Sequence, residues 1–439
     1  GKLKERREAD LRRQFQVENG ELMLGGVGAK ALARKYGTPL YVMDESAVRG
    51  SMRAFRSSME QYYGGKGLVC YASKAFSCKE IYRIAMEEGL GADVVSLGEL
   101  YTAHSVGFPM DKICFHGNNK SRRELEAALE WGVGRIVVDN LTELATLSAL
   151  AEEMGKTAGI LLRIKPGIDA HTHSFIRTGQ IDSKFGLALE TGEAMDGVRK
   201  ALSAGNIRLR GVHCHIGSQI FSVDPFVHAA EVMMGFMGQV KTETGVELEE
   251  LNLGGGFGIL YTDEDAPVPF GAYMEPVSAA VKASAARSGL AQPFVIIEPG
   301  RAIVGEAGTT LYTVGCVKEI PGIRTYVSVD GGMGDNPRYI LYQSKYDMVL
   351  ADRADEPASE VVTVAGRCCE SGDLVGENVP LAPPRPGDLL AVFATGAYNY
   401  SMASRYNRVP IPPVVMVKDG ASRIIVRGEN LEDLVRNDI

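Results

Sequence analysis

No stretch of this 439-residue chain approaches the roughly 20 consecutive apolar residues that a membrane-spanning helix needs. Cysteine is sparse: Cys70, Cys78, Cys114, Cys214, Cys316, Cys368 and Cys369 are odd in number and form no CxxC pair. That usage argues against a disulfide framework or a structural zinc site, and it suits a reducing, cytoplasmic location. Positive charge is not in excess, with 47 Lys and Arg against 55 Asp and Glu and a net charge of −8. Such a balance argues against a nucleic-acid or anionic-membrane surface. Internal repeats and low-complexity tracts are lacking as well. The opening residues, GKLKERREADLRRQ, have no apolar core of the kind a signal peptide carries.

What is present is hydrophobic content of 45%, spread along a chain long enough for two domains. Between about residues 67 and 300, eight short β-rich runs alternate with helical stretches. They are LVCYASKA, GADVVS, KICFHG, RIVVD, GILLRIKP, RGVHCHIG, LNLGGGF and FVIIEPG. SRRELEAALEWG and DPFVHAAEVMMGFMGQVKTETG, which lie between runs, space their apolar residues as helices do. Eight strand–helix units imply parallel pairing and predict an α/β class fold, a (β/α)8 barrel of the TIM type. The barrel is expected over residues 36–305. Residues 306–439 change texture: TTLYTVGCVKEI, TYVSVDGG, EVVTVAGRC, GDLLAVFATG and RIIVRG are separated by turns with little helix. They predict a second, mostly antiparallel β domain, to which residues 1–35 are expected to add a strand.

A barrel of this kind gathers its chemistry at the C-terminal ends of its strands. Nearly every run ends there in a polar residue or glycine: Lys74, Ser96, Asn118, Asp139, His215, Gly254, Gly255, Gly256 and Glu298. Lys74 closes the first run. Desolvation lowers a lysine's pKa and makes its amine nucleophilic enough for a Schiff base, although a surface lysine past a strand end reads the same way. Gly254, Gly255 and Gly256 let backbone N–H groups approach a phosphate, and a plain flexible turn is the alternative. Glu298 closes the eighth strand as a carboxylate. Facing a pyridine nitrogen it would keep that ring protonated and electron-poor; otherwise it forms an internal salt bridge with Arg301. Arg301 offers charge to a phosphate or a substrate carboxylate. His213 and His215 alternate onto one face of the sixth strand. A paired metal site would need further ligands, which the later strands do not offer, so no metal is expected and ring stacking suits an imidazole here better. His171-Thr-His173 reads as loop by default. Arg367-Cys-Cys-Glu370-Ser-Gly-Asp373 sets a thiol beside a carboxylate, where buried packing is the commoner explanation.

Taken in order, YASKA, GADVVSLGEL, FHGNNKS, LRIKPGIDAHTH, SKFG, HCHIGSQ, LGGGFG, EPGR, CCESGD and GAYNYSMASRYN resemble the diaminopimelate decarboxylases. The resemblance runs from about residue 36 to 410. Ornithine and arginine decarboxylases share the lysine, glycine and EPGR elements, whereas CESGD and SMASRYN are more typical of the diaminopimelate enzymes. The resemblance implies an alanine-racemase-like barrel (pyridoxal-phosphate fold type III) plus a β domain, working as a homodimer with shared active sites. It implies pyridoxal 5′-phosphate as cofactor, a small amino acid, meso-2,6-diaminopimelate, as substrate, and L-lysine and carbon dioxide as products. Lys74 matches the Schiff-base lysine, His215 the ring-stacking histidine and Ser218 a cofactor contact. Gly254, Gly255 and Gly256 match the phosphate loop and Glu298 the pyridine-nitrogen partner, with Gly300 and Arg301 also at the cofactor. Arg301, Arg338, Tyr342 and Glu370 match substrate contacts. Cys369 matches a proton donor from the second subunit, and Tyr398 a contact to cofactor and substrate.

The chain departs from the family pattern at three places. Lys165-Pro166 replaces Asn-Pro. Arg338-Tyr-Ile-Leu-Tyr342 replaces a stretch ending Pro-Ala-Leu-Tyr, with Tyr346 where a histidine often occurs. Asn407-Arg-Val-Pro-Ile-Pro replaces Asn-Gly-Arg-Pro-Arg-Pro. The alternative is an ornithine, arginine or lysine decarboxylase on the same scaffold. Such an enzyme would not need an arginine for a distal carboxylate. A racemase would favour a cation near the ring nitrogen, and a non-catalytic binding relative could dispense with Lys74 or Cys369.

Overall fold

The computed structural model describes residues 13–168, 170 and 182–439. The His171-Thr-His173 segment lies outside them. The chain divides into two units, and the first is built on parallel strands that are apolar on both faces.

This barrel unit comprises Ser51–Gly258 and Pro267–Ala302. The eight strands that close the barrel are β1 (Gly67–Ala72), β2 (Gly91–Val94), β3 (Ile113–Phe115), β4 (Arg135–Val138), β5 (Ala158–Lys165), β6 (Ile207–His213), β7 (Glu250–Asn252) and β8 (Phe294–Ile297), and the two-residue strand Leu187–Ala188 pairs in parallel with the end of β5. Each barrel strand pairs in parallel with the next in chain order, and β8 pairs with β1, so the sheet closes. Closure leaves no free edge, and burial on both faces explains why these runs read as continuous apolar stretches. Cys70, Cys114, Val137, Leu161 and Ile296 fill one layer of the interior. The intervening helices start and stop where local chemistry dictates. Arg122–Trp131 opens on a reciprocal capping box between Ser121 and Glu124 and ends at the left-handed Gly132. Asp224–Thr244 carries Pro225 in its first turn and stops at Gly245.

The second unit comprises the chain up to Gly50, Ile259–Ala266 and Ile303–Ile439. Its longest strand, Gly308–Ile320, pairs antiparallel with Leu389–Phe393, Leu40–Asp44 and Arg324–Val329. Two parallel pairings interrupt an otherwise antiparallel sheet, Leu40–Asp44 with Val414–Lys418 and Arg324–Val329 with Glu360–Ala365. Leu22, Leu32, Leu40, Val42, Leu311 and Val415 belong to its core.

Of the residues before 36, those described contribute strands to this unit, outside its large sheet. Gln16–Glu18, Glu21–Leu24 and Val27–Gly28 form a separate three-stranded meander. Asn19-Gly20 and Gly25-Gly26 all have positive φ, the backbone of two-residue hairpin turns, so the segment folds back on itself. The strand entering the large sheet is Leu40–Asp44, almost wholly buried. Among the described residues no helix is long and apolar enough to cross a membrane.

Candidate active site

At the C-terminal mouth of the barrel, three successive glycines sit where no side chain fits. A Cβ on Gly254 would lie 2.6 Å from the Cys214 carbonyl oxygen. On Gly255 it would lie 2.2 Å from that of Glu298, and on Gly256 2.3 Å from that of Gly217. Gly254 and Gly256 also have φ of +71° and +101°. The loop is thus pressed between the ends of β6 and β8, and the Gly254 carbonyl accepts the Glu298 backbone N–H at 2.8 Å. Gly300 is equally confined, its Cβ position 2.8 Å from the Ala72 carbonyl at the end of β1. Arg301 begins the short helix Arg301–Val304.

Glu298 is 6% exposed, and each of its oxygens is engaged by an imidazole rather than by Arg301. His116 Nε2 lies 2.6 Å from Oε2 and His213 Nε2 2.7 Å from Oε1. Burial alone would raise the Glu298 carboxyl, but the two histidines outweigh it and hold it well below the usual carboxylate range. Burial drives His213 down to about 4 against the pull of Glu298, so its imidazole is neutral at pH 7. A neutral ring that donates from Nε2 leaves Nδ1 as an acceptor, and Nδ1 is buried without a partner. Asp93, on β2, moves the other way, its carboxyl raised by burial and then by the charge of Glu298. Two neighbouring carboxyls are thereby pushed apart, Glu298 downward and Asp93 upward.

Lys74 stands two residues beyond β1 and is exposed, whereas Ala75 and Phe76 beside it are buried. It lies close enough to help depress His215, which falls to about 3 through burial, then Lys74, then Arg163. Ser218 is exposed. Ser96 and Asn118, also at strand ends, have local work instead. Ser96 caps the helix Leu97–Ser105, and Asn118 offers its carbonyl to Asn140.

The remaining candidates lie in the second unit. Arg338 is 7% exposed and enclosed by tyrosines, its guanidinium carbon 4.9 Å from the Tyr261 ring centre, 6.0 Å from Tyr342 and 5.9 Å from Tyr346. Nη1 donates to the Tyr346 hydroxyl at 2.8 Å, and the buried Nε has no partner. Cys369 and Glu370 are exposed on a loop knitted by Asp373, which accepts from Met333 N at 2.7 Å and Cys368 N at 2.8 Å. Cys369 N donates to Asn407 Oδ1 at 2.8 Å. Tyr398 is half-buried with φ of +62°, a left-handed conformation uncommon for a tyrosine.

Among the described residues two groups have metal-compatible spacing, each with ligand atoms within 4.8 Å of one another: His116, His213 and Glu298, and Cys70, Asp93 and Cys114. In the first, the close contacts are the hydrogen bonds already described. In the second, the cysteines belong to the apolar barrel layer, and burial raises the Cys70 thiol, disfavouring the thiolate a metal would need. Sequence reasoning overlooked His116 and Asp93. Their only signal was a polar residue within or just past an apolar run, FHG and GAD.

Residues 46–305 match the pyridoxal-binding domain of the pyridoxal-dependent decarboxylases. A diaminopimelate decarboxylase of Bacillus subtilis is 51% identical over 424 residues, covering 97% of this chain and 96% of the relative. The chain belongs to this family. A second diaminopimelate decarboxylase, from Halalkalibacterium halodurans, is 50% identical over 420 residues, 96% of this chain and 95% of its own. The crystal structure of the M. jannaschii diaminopimelate decarboxylase in complex with L-lysine superposes with a TM-score of 0.90 at 35% identity, covering 97% of each chain. The family's reaction is the decarboxylation of meso-2,6-diaminopimelate to L-lysine, and its cofactor is pyridoxal 5′-phosphate. The barrel fits that cofactor. The glycine loop is packed too tightly for any Cβ, which leaves its backbone bare of side chains, and Glu298 is held as the anion a pyridinium nitrogen requires.

Proposed function

We propose that this chain decarboxylates meso-diaminopimelate with pyridoxal 5′-phosphate as its cofactor. In the barrel, backbone N–H groups of Gly254, Gly255 and Gly256 would hold the cofactor phosphate, with Gly300, Arg301 and Ser218 beside them. Lys74 would bind the cofactor covalently, and His215, kept neutral by burial, would lie against its ring. Glu298 would pair with the ring nitrogen. His116 and His213 fix that carboxylate and keep it charged, so it needs no reorganisation when the ring takes on electrons. When bound, pyridoxal phosphate supplies the sink for the electron pair left as carbon dioxide departs.

The second unit would recognise the substrate and finish the reaction. Arg338 would hold the carboxylate at the end of the substrate that does not react, with Tyr342, Glu370, Tyr398 and Arg301 as further contacts. The observation that carries this assignment is a guanidinium buried among three tyrosine rings with its Nε unpartnered. A buried cation of that kind has strong affinity for a carboxylate and none for a diamine's second ammonium. The carbon–carboxylate bond breaks, carbon dioxide leaves, and the Cys369 thiol would return a proton to the same carbon. Exposure of Leu341, Tyr342 and Cys369 supports a homodimer in which a partner subunit covers these residues and shares the site. Seven free thiols support a cytoplasmic location, which fractionation of cells would check.

The test is direct. Purified protein with pyridoxal phosphate should release carbon dioxide and L-lysine from meso-diaminopimelate, and little carbon dioxide from L-lysine or L-ornithine. Faster release from ornithine or lysine would replace this reading by that of a diamine-forming decarboxylase.

A further inference from the structure

Arg13 belongs to the charged opening segment, yet it is only 9% exposed. Its Nη2 donates to two successive backbone carbonyls, Leu260 at 2.8 Å and Tyr261 at 2.9 Å. Its Nε reaches Asp347 Oδ2 at 3.5 Å, and its guanidinium lies 5.1 Å from the Phe393 ring centre. The two stretches of chain it joins also touch each other, Asp347 N donating to the Tyr261 carbonyl at 3.4 Å.

Both stretches lead to Arg338. Tyr261 is the aromatic face nearest its guanidinium, and Tyr346, next in the chain to Asp347, accepts from Nη1. The Tyr261 and Tyr346 rings meet edge to face with centres 5.6 Å apart. Two walls of the Arg338 enclosure therefore hang from backbone that one guanidinium fastens. A planar fork suits this work, because several N–H groups leave it in fixed directions and hold carbonyls and a carboxylate together.

We propose that Arg13 is a positioning residue for substrate recognition: it fixes Tyr261 and Tyr346 so that Arg338 points where the substrate's distal carboxylate docks. The proposal rests on Arg338 holding that carboxylate. Removing Arg13 leaves Arg338 present but less well aimed, so the loss falls on binding and not on the chemical step. A loss of that kind disappears once Arg338 is gone, since nothing is left to aim.

The experiment is a double-mutant cycle on the pyridoxal-phosphate-loaded enzyme, measuring kcat and KM for meso-diaminopimelate by carbon dioxide release. Arg13→Ala should raise KM about 10-fold with kcat within about 2-fold, the pattern of lost binding. Arg13→Lys should raise KM less, about 3-fold, because an ammonium reaches the carbonyls without the fork. In an Arg338→Ala background, Arg13→Ala should change kcat/KM by less than about 2-fold, the two residues acting as one unit. Equal losses in both backgrounds, or a fall in kcat at unchanged KM, would overturn the proposal and make Arg13 a general staple. If Arg13→Ala does not fold, the Lys variant carries the test alone. Its KM rise should vanish in the Arg338→Ala background, and an unchanged KM would overturn the proposal. Failure of the underlying assignment has a separate signature: Arg338→Ala would itself leave KM for meso-diaminopimelate unaltered.

Discussion

Glu298 shows how a single charge is prepared in advance. Two imidazoles hold its oxygens at 2.6 and 2.7 Å. Glu298→Gln keeps the shape and loses the charge. Turnover should fall about 100- to 1000-fold, the usual cost of one pre-oriented electrostatic group, while cofactor affinity changes far less. Steady-state carbon dioxide release and fluorescence titration with pyridoxal phosphate separate the two, and near-normal turnover would remove Glu298 from the chemistry. Lys74, Glu298 and the glycines could be picked out in the sequence because each is an odd residue closing an apolar run. The histidines that hold Glu298 were less visible. His213 was weighed as a metal ligand or stacking ring, and His116 was not weighed at all, because sequence spacing does not show that the ends of β3 and β6 converge on β8.

Elements, and the turns between them, carry the tight packing. Gly255→Ala would drive a methyl group to 2.2 Å from the Glu298 carbonyl oxygen. Neither backbone can move without dragging the glycine loop or the Glu298 carboxylate. Turnover should fall about 100-fold, as for other misplacements near 1 Å, and cofactor affinity should drop with it. Unaltered affinity would show that the loop is not the phosphate cradle.

The turn over residues 330–338 has a titration of its own. Burial lifts the Asp335 carboxyl from 3.8 up to about 7, against the pull of the Tyr312 hydroxyl and the Gly332 amide. A folded value above the unfolded one means that folding takes up a proton between the two. Its contribution to stability is full below about pH 3.8 and is lost as pH rises through about 7. Crossing that window costs roughly 4 kcal/mol, because a tenfold change in proton activity is worth about 1.36 kcal/mol. Asp335→Asn, whose Oδ1 can still accept from the Gly332 N–H, should flatten this part of the stability–pH curve. Urea unfolding at pH 5 and pH 8 reads the slope, and an unchanged slope would refute the assignment. At this scale strand and helix identities were legible from apolar periodicity. The N-terminal strands were harder to place because ENGELML alternates well enough for any sheet, and only its two turn dipeptides show that it pairs with its neighbours.

For the whole molecule, the shared-site proposal makes a sharp demand. Lys74→Ala and Cys369→Ala homodimers should each be almost inactive. Unfolded together and refolded, about half of the dimers should be hybrids by random pairing of symmetric subunits. In each hybrid one site collects both lesions and the other neither, so activity should return to about a quarter of wild type. Differential tags establish that hybrids have formed, and no recovery would place both residues in one subunit's site. The sequence made the barrel and a β domain legible, since eight alternations followed by a change of texture are coarse features. It did not reveal that the chain returns to the second unit for the short stretch Ile259–Ala266, because eight residues with no periodicity give no sign of where they pack.

The order in which that second unit is written along the chain sets a clock on its assembly. Leu40–Asp44 is made early, yet its antiparallel neighbour Gly308–Ile320 follows about 260 residues later, and Val414–Lys418 later still. At roughly 5–20 residues per second, a ribosome leaves the early strand waiting about 13–50 s. The barrel strands all emerge in that interval, each following its predecessor in the sheet, with β8 last to meet β1. During synthesis the barrel can therefore close while LYVM, apolar and extended, still has no sheet to join. A nascent chain stalled with β8 outside the ribosome and Gly308–Ile320 still inside its exit tunnel should resist protease across the barrel and be cut near residue 40, and only completion of the chain should abolish that cut.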